Sequence, residues 1–180
     1  VTLVKQDFLS QDLVDSLIQR LKEKGITFAA GLTDEEIQTA ESNCNIHFPP
    51  DLKRFYQTGL PVGERFFDWR GTEPGCDLNA DMEDGVLFDV EENDFWHSTW
   101  GEDPGEMDQR LEIARVALQS CPRLIPIYRH RCMASEPCEA GQPVLSIHQT
   151  DIIWYGTDLA AYLAAEFHIE PVRAALATPA

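Results

Sequence analysis

Hydrophobic positions recur along this chain with two periods, helical in the first third and mixed beyond it. From Ser10 to Lys24, the residues Leu13, Val14, Leu17, Ile18 and Leu21 fall at helical spacing, and Gly25 with Ile26 supplies a stop in which Ile26 faces Leu21. This predicts an amphipathic first helix. Thr33-Asp34-Glu35-Glu36 forms a capping box, flanked by Leu32 and Ile37 as a hydrophobic staple, so a second helix runs to about Asn43 and buries Ile37, Ala40 and Cys44. A third helix lies between Ile46 and Pro61. Pro50 suits its first turn, Asp51 sits where the helix dipole is positive, and Leu52, Phe55 and Tyr56 make one apolar stripe. Gly59 is expected in a left-handed conformation, with Leu60 against Phe55 and Pro61 barring continuation. The rest of the chain is expected to pack around this helix.

After Pro61 the pattern breaks up. Gly63, Gly71, Pro74 and Gly75 punctuate a run of acids, Asp84-Gly85 reads as a turn, and Val86 to Val90 reads as a strand. Asp103-Pro104-Gly105-Glu106 reads as a helix start with Asp103 as cap, followed by the stripe Met107, Leu111, Ala114 and Leu118 and a stop at Cys121-Pro122. Leu124 to Tyr128, Val144 to His148 and Ile152 to Tyr155 are strand-like. Pro126 puts the first of these at an edge or a bulge, and the short gap between the last two predicts an antiparallel hairpin. Gly156-Thr157-Asp158 opens a last helix with Leu159, Leu163 and Phe167 on one face, stopped near Pro171, and the residues after Val172 read as a tail or short helix. The order predicts an α+β fold: one domain over residues 1–180, with a small, mostly antiparallel sheet covered by helices.

Composition narrows the partners. A chain of 180 residues with 43% hydrophobic content supports one buried core. A net charge of −17 and a pI near 4.5 repel nucleic acid and anionic membranes and attract a basic protein. No apolar run reaches bilayer length and no charged-then-apolar leader pattern opens the sequence, so a cytoplasmic location is expected. Cys44, Cys76, Cys121, Cys132 and Cys138 are odd in number and scattered, which suggests reduced thiols.

Catalytic and metal motifs are missing. The sequence has no nucleotide glycine loop, no H-E-x-x-H and no G-x-S-x-G. Asp77, Asn79 and Asp81 match the first ligands of a calcium loop, but Met82 stands where the glycine turn is needed and Phe88 where the closing carboxylate belongs. His130, Cys132 and Cys138 fit no zinc spacing. Neither a metal nor a cofactor is expected, nor an enzyme. Glu91, Glu92 and Asp94 beside Trp96 and Trp100 leave an alternative open, a carbohydrate-binding or carbohydrate-active site.

The acids themselves are the stronger signal. Asp68 to Asp108 holds fourteen carboxylates against one base, Arg70, with Trp69, Trp96 and Trp100 interleaved. Aromatic anchors in a field of one sign suit docking of a cationic partner. The expected partner surface comprises Trp69, Asp84, Glu91, Glu92, Asp94, Trp96 and Trp100. If the tryptophans belong to the core, the surface lies instead on the strands near His130, Arg131, Gln149 and Asp151.

Taken together, Gly31-Leu32-Thr33 with Glu36 and Ile37, Phe48-Pro49-Pro50-Asp51-Leu52, Gly59-Leu60-Pro61, Leu87-Phe88-Asp89-Val90, Leu124-Ile125-Pro126-Ile127-Tyr128, Pro143-Val144-Leu145-Ser146 and Leu159 to Leu163 resemble the SUKH superfamily. That superfamily includes bacterial toxin-immunity proteins and the fungal cell-wall-assembly regulator linked to killer-toxin resistance. The resemblance spans about Gly31 to Phe167. It implies an α+β fold with a central antiparallel sheet, and a binding role in which a toxin, often a nuclease, is blocked by direct contact, or a related scaffold role.

Overall fold

The structure is a computed structural model and describes residues 9–172. The first helix, α1 (Gln11–Glu23), buries Val14, Leu17, Ile18 and Leu21, each side chain contributing about 1.5–3 kcal/mol. It ends in the predicted stop: Gly25 is left-handed at φ 87°, the Ile26 amide donates to the Leu21 carbonyl at 3.1 Å, and the Gly25 amide donates to Lys22 at 2.9 Å. In α2 (Asp34–Cys44) the capping box is present in both directions, and Ile37, Ala40 and Cys44 are the buried residues. The third helix, α3 (Pro50–Thr58), buries Leu52, Phe55 and Tyr56.

The end of α3 differs from the expectation. Gly59 has φ −169°, which is extended backbone, because the chain leaves the helix directly into β2 (Leu60–Val62), pairing antiparallel with β1 (Thr27–Ala29). Gly59 instead eases a tight approach. A Cβ there would lie 3.1 Å from Phe28 Cδ1 and 3.2 Å from Ile18 Cδ1. Gly31 is constrained more tightly still, since a Cβ would collide with the Gln57 carbonyl where α2's entry crosses the end of α3.

A second correction concerns residues 80–92. They form one helix, α4 (Ala80–Glu92), rather than a turn and a strand. Val86 and Val90 stand four apart, and the fully buried Val90 and Ala114 lie on α4 and α5 (Met107–Gln119), which pack together. Gly85 is inside this helix because a Cβ would press on Gln149, 3.3 Å from its Cα. Helix α5 begins three residues later than predicted: Asp103 accepts from the Gly105 amide at 2.9 Å, so this stretch is a turn before the helix rather than its cap.

The larger sheet is antiparallel, in the order β3 (Leu124–Tyr128), β4 (Arg131–Ala134), β5 (Val144–His148), β6 (Asp151–Gly156). Sequence reading missed β4. Pro126 lies on an edge strand and at a register shift, as its missing N–H requires. β5 and β6 form the predicted hairpin. Helix α6 (Leu159–Glu166), capped by Asp158, packs against β6 at Gly156, where a Cβ would lie 2.5 Å from Tyr162 Cβ. The chain is therefore α+β, with one buried cluster running from Leu9 through α3 to Ile169. Residues after 172, including the predicted tail, lie outside those described.

Candidate protein-binding surface

Trp69 belongs to the core and not to a partner surface. It is 2% exposed, with its ring 4.8 Å from Phe48, 4.5 Å from Phe67 and 6.0 Å from Tyr56. A short 3-10 turn, capped by the Asp68 carboxylate, directs it inwards. Its acidic neighbours in sequence had suggested exposure; its packing overrides them.

The other predicted residues stay at the surface and divide into two adjoining groups. On α4, Asp84, Phe88, Glu91 and Glu92 are spaced i, i+4, i+7 and i+8, which places them on one face, and all are exposed. Phe88, 50% exposed, stands among the carboxylates. Past the end of α4 the chain turns at Asp94, in the left-handed region at φ 53°, into Phe95, Trp96, His97 and Trp100. Trp96 and Trp100 are half-buried and meet edge to face at 5.3 Å; Phe95 packs on Trp100 at 5.7 Å. The Trp96 indole N–H donates to the Gly101 carbonyl at 2.9 Å and closes the loop.

Arg110, on α5, holds this loop together and was not recognised from sequence. Its guanidinium donates to Asp94 at 2.8 Å and to the Phe95 carbonyl at 3.2 Å, lies 3.4 Å from Asp103, and sits 5.7 Å from the Trp96 ring centroid. The side chain is 7% exposed, whereas Asp94 is 90% exposed. One buried cation thus organises two acids and an aromatic into a fixed surface. Its sequence signal was its position, a lone base just past the acidic run.

The second group lies at the β3–β4 and β5–β6 turns. His130 and Asp151 are exposed; Arg131 and Gln149 are half-buried. Arg131 stacks on Tyr155, 3.8 Å from the ring centroid, donates to Ser146 at 3.1 Å and also contacts His130. Partial desolvation of the ring, followed by the charges of Arg131 and His148, lowers the proton affinity of His130. The two groups touch where Asp89 of α4 accepts hydrogen bonds from Thr150 in the β5–β6 turn.

The alternative chemistries find their residues in other roles. Asp77 accepts from Arg123 at 2.8 Å and from the Asn79 amide at 3.1 Å, while buried Asn79 accepts from the Leu124 amide at 3.1 Å. Among the described residues, no group of three or more His, Cys, Asp or Glu is disposed to hold a metal ion. Burial pushes the Cys132 thiol up to about 12, so it remains protonated and is a poor ligand or nucleophile. For a sugar, the Trp96 ring offers less free surface than sequence suggests, because Arg110 and Trp100 already pack on it. Among the described residues no helix is long and apolar enough to cross a membrane.

Comparison of the chain with protein-family models, with curated proteins and with solved structures found no match.

Proposed function

We propose that this chain is a non-enzymatic binding module that docks a cationic protein on the surface made by α4 and the loop after it. It acts as an immunity protein against a basic toxin domain, or as a related regulatory scaffold. The observation that carries this reading is the exposed face of Asp84, Phe88, Glu91 and Glu92 continuing into Trp96 and Trp100, with Arg110 fixing the loop. An apolar centre ringed by charges of one sign has the anatomy of a binding hot spot, and prior ordering lowers the entropy cost of docking. The net charge of −17 supports a basic partner, and the α+β fold with an antiparallel sheet agrees with what the SUKH resemblance implies. A cytoplasmic location goes with this reading.

The test uses the purified product of the reading frame adjoining this one, with association and dissociation rates measured over a salt series. Neutralising Glu91 and Glu92 together should slow association at low salt and barely change dissociation. Phe88→Ala, Trp96→Ala and Trp100→Ala should speed dissociation, one of them by tenfold or more. Binding that ignores both salt and these substitutions would refute the placement.

A further inference from the structure

We propose that β6 is a self-association edge: two copies of this chain pair antiparallel along it, with the two-fold axis at Ile153, and join their four-stranded sheets into one. β6 is the last strand of the sheet, and its side chains do not alternate between core and solvent. Ile152 is 58% exposed, Ile153 51%, Trp154 64% and Tyr155 41%. Four consecutive large apolar residues on an open edge, facing both sides of the sheet, form a template for another strand.

The backbone register fixes which strand fits. His148 opposes Asp151 across the two-residue turn and closes the hairpin, so Ile147–Ile152 and Leu145–Trp154 are the pairs that exchange no hydrogen bonds. The Ile147 amide accordingly donates at 3.2 Å to the His130 carbonyl, on the side away from β6. Ile152 and Trp154 therefore turn their N–H and C=O groups outwards. A two-fold axis at Ile153 sets Ile152 of each copy opposite Trp154 of the other, so the free groups meet and two apolar side chains share a face. Ile153 meets its own copy on the opposite face. Asp151 comes opposite Tyr155 rather than another acid.

Charge and closure favour a second copy over a basic peptide. Asp151 is the only charged residue of the strand, whereas the acidic face lies on α4, beyond the β5–β6 turn. Antiparallel pairing sends the two turns to opposite ends of the joined sheet, so two chains of charge −17 meet through a strand that carries a single charge each. The other edge of this sheet, β3, is blunted by Pro126 and its register shift, which leaves β6 as its one open edge among the described residues and stops assembly at two copies. Covering the four side chains removes several hundred Å² per copy, so a pair reaches on the order of the 1,000 Å² that a specific interface needs.

Sedimentation of the full chain from low micromolar to several hundred micromolar concentration should show a monomer–dimer equilibrium. Hydrogen exchange should slow at the Ile152 and Trp154 amides as the dimer fills. Ile153→Lys places like charges at the axis, and Ile152→Pro removes an outward N–H without breaking a bond to β5; each should weaken association at least tenfold while the urea midpoint is retained. If Ile152→Pro fails to fold, Ile153→Lys decides alone. A monomer at every concentration, assembly beyond two copies, a dimer indifferent to the substitutions, or unprotected β6 amides in the dimer would overturn the proposal. So would a monomer whose β6 amides are protected only by an added basic peptide.

Discussion

The Asp89 carboxylate receives the Thr150 amide at 3.0 Å and its hydroxyl at 2.7 Å, and Asn93 donates a further bond at 2.7 Å. A buried acid thereby fastens the α4 surface to the β5–β6 turn. These donors, the Thr150 hydroxyl first and Asn93 next, hold the Asp89 carboxyl below the usual carboxylate range. Because the folded-state pKa is depressed, the stabilisation is present above the unfolded value and is lost as pH falls through the folded one. Asp89→Ala should cost about 1–3 kcal/mol at neutral pH and progressively less in acid. Urea midpoints near neutrality and at about pH 3 test this; an equal loss at both would assign the fastening to packing rather than charge.

Arg110→Met should release the loop that carries Trp96 and Trp100. A fully buried pair broken on one side costs about 3–5 kcal/mol, but Asp94 and Asp103 are open to water here, so about 1–2 kcal/mol is expected. The near-ultraviolet signal of the tryptophans should fall. If it persists, the loop holds its shape without the arginine.

Thr33→Ala removes the hydroxyl that accepts from the Glu36 amide at 3.2 Å, which should destabilise by about 1 kcal/mol. The return bond, from the Thr33 amide to Glu36 at 2.9 Å, survives, and Glu36 also binds Arg70 at 2.6 Å. A midpoint equal to that of the parent chain would show that these remaining contacts carry the cap.

Gly59→Ala should prove mild. At φ −169° alanine meets no backbone strain, and the cost is the contact with Ile18 and Phe28 alone, on the order of 1 kcal/mol. Ile18→Val removes the crowding Cδ1, so the double variant should lose less than the sum of the two single variants. Strict additivity would place the cost elsewhere.

How legible the chain was depended on the range of the forces acting at each residue. Caps, stripes and hairpins are local, so α1, α2 and the β5–β6 pair can be read from the residues within them. Val86 to Val90 misleads because three apolar residues and a valine after an Asp-Gly pair imitate a strand, whereas α4 is decided by long-range packing on α5 and by the close approach of Gly85 to Gln149. β4 has four residues and no alternation to betray it. The candidate surface was partly legible: the acids and Trp96 with Trp100 were, while Trp69, Phe88, Asp89 and Arg110 depend on which helix face turns inwards. Ile152 to Tyr155 read as a strand, but an unbroken apolar run signals burial on both sides, whereas here all four side chains stay largely exposed among the described residues.

Gly31 and Gly156 mark this fold in a way that a search can use. Each faces another segment's backbone so closely that a methyl group cannot enter, at Gln57 in one case and Tyr162 in the other. The helical and strand positions between them accept many apolar substitutes, so sequences can drift far without changing the packing. Glycine at these two places cannot drift. A pattern that fixes both, with a capping box two residues after the first and a helix cap two residues after the second, should retrieve distant relatives that overall similarity passes over.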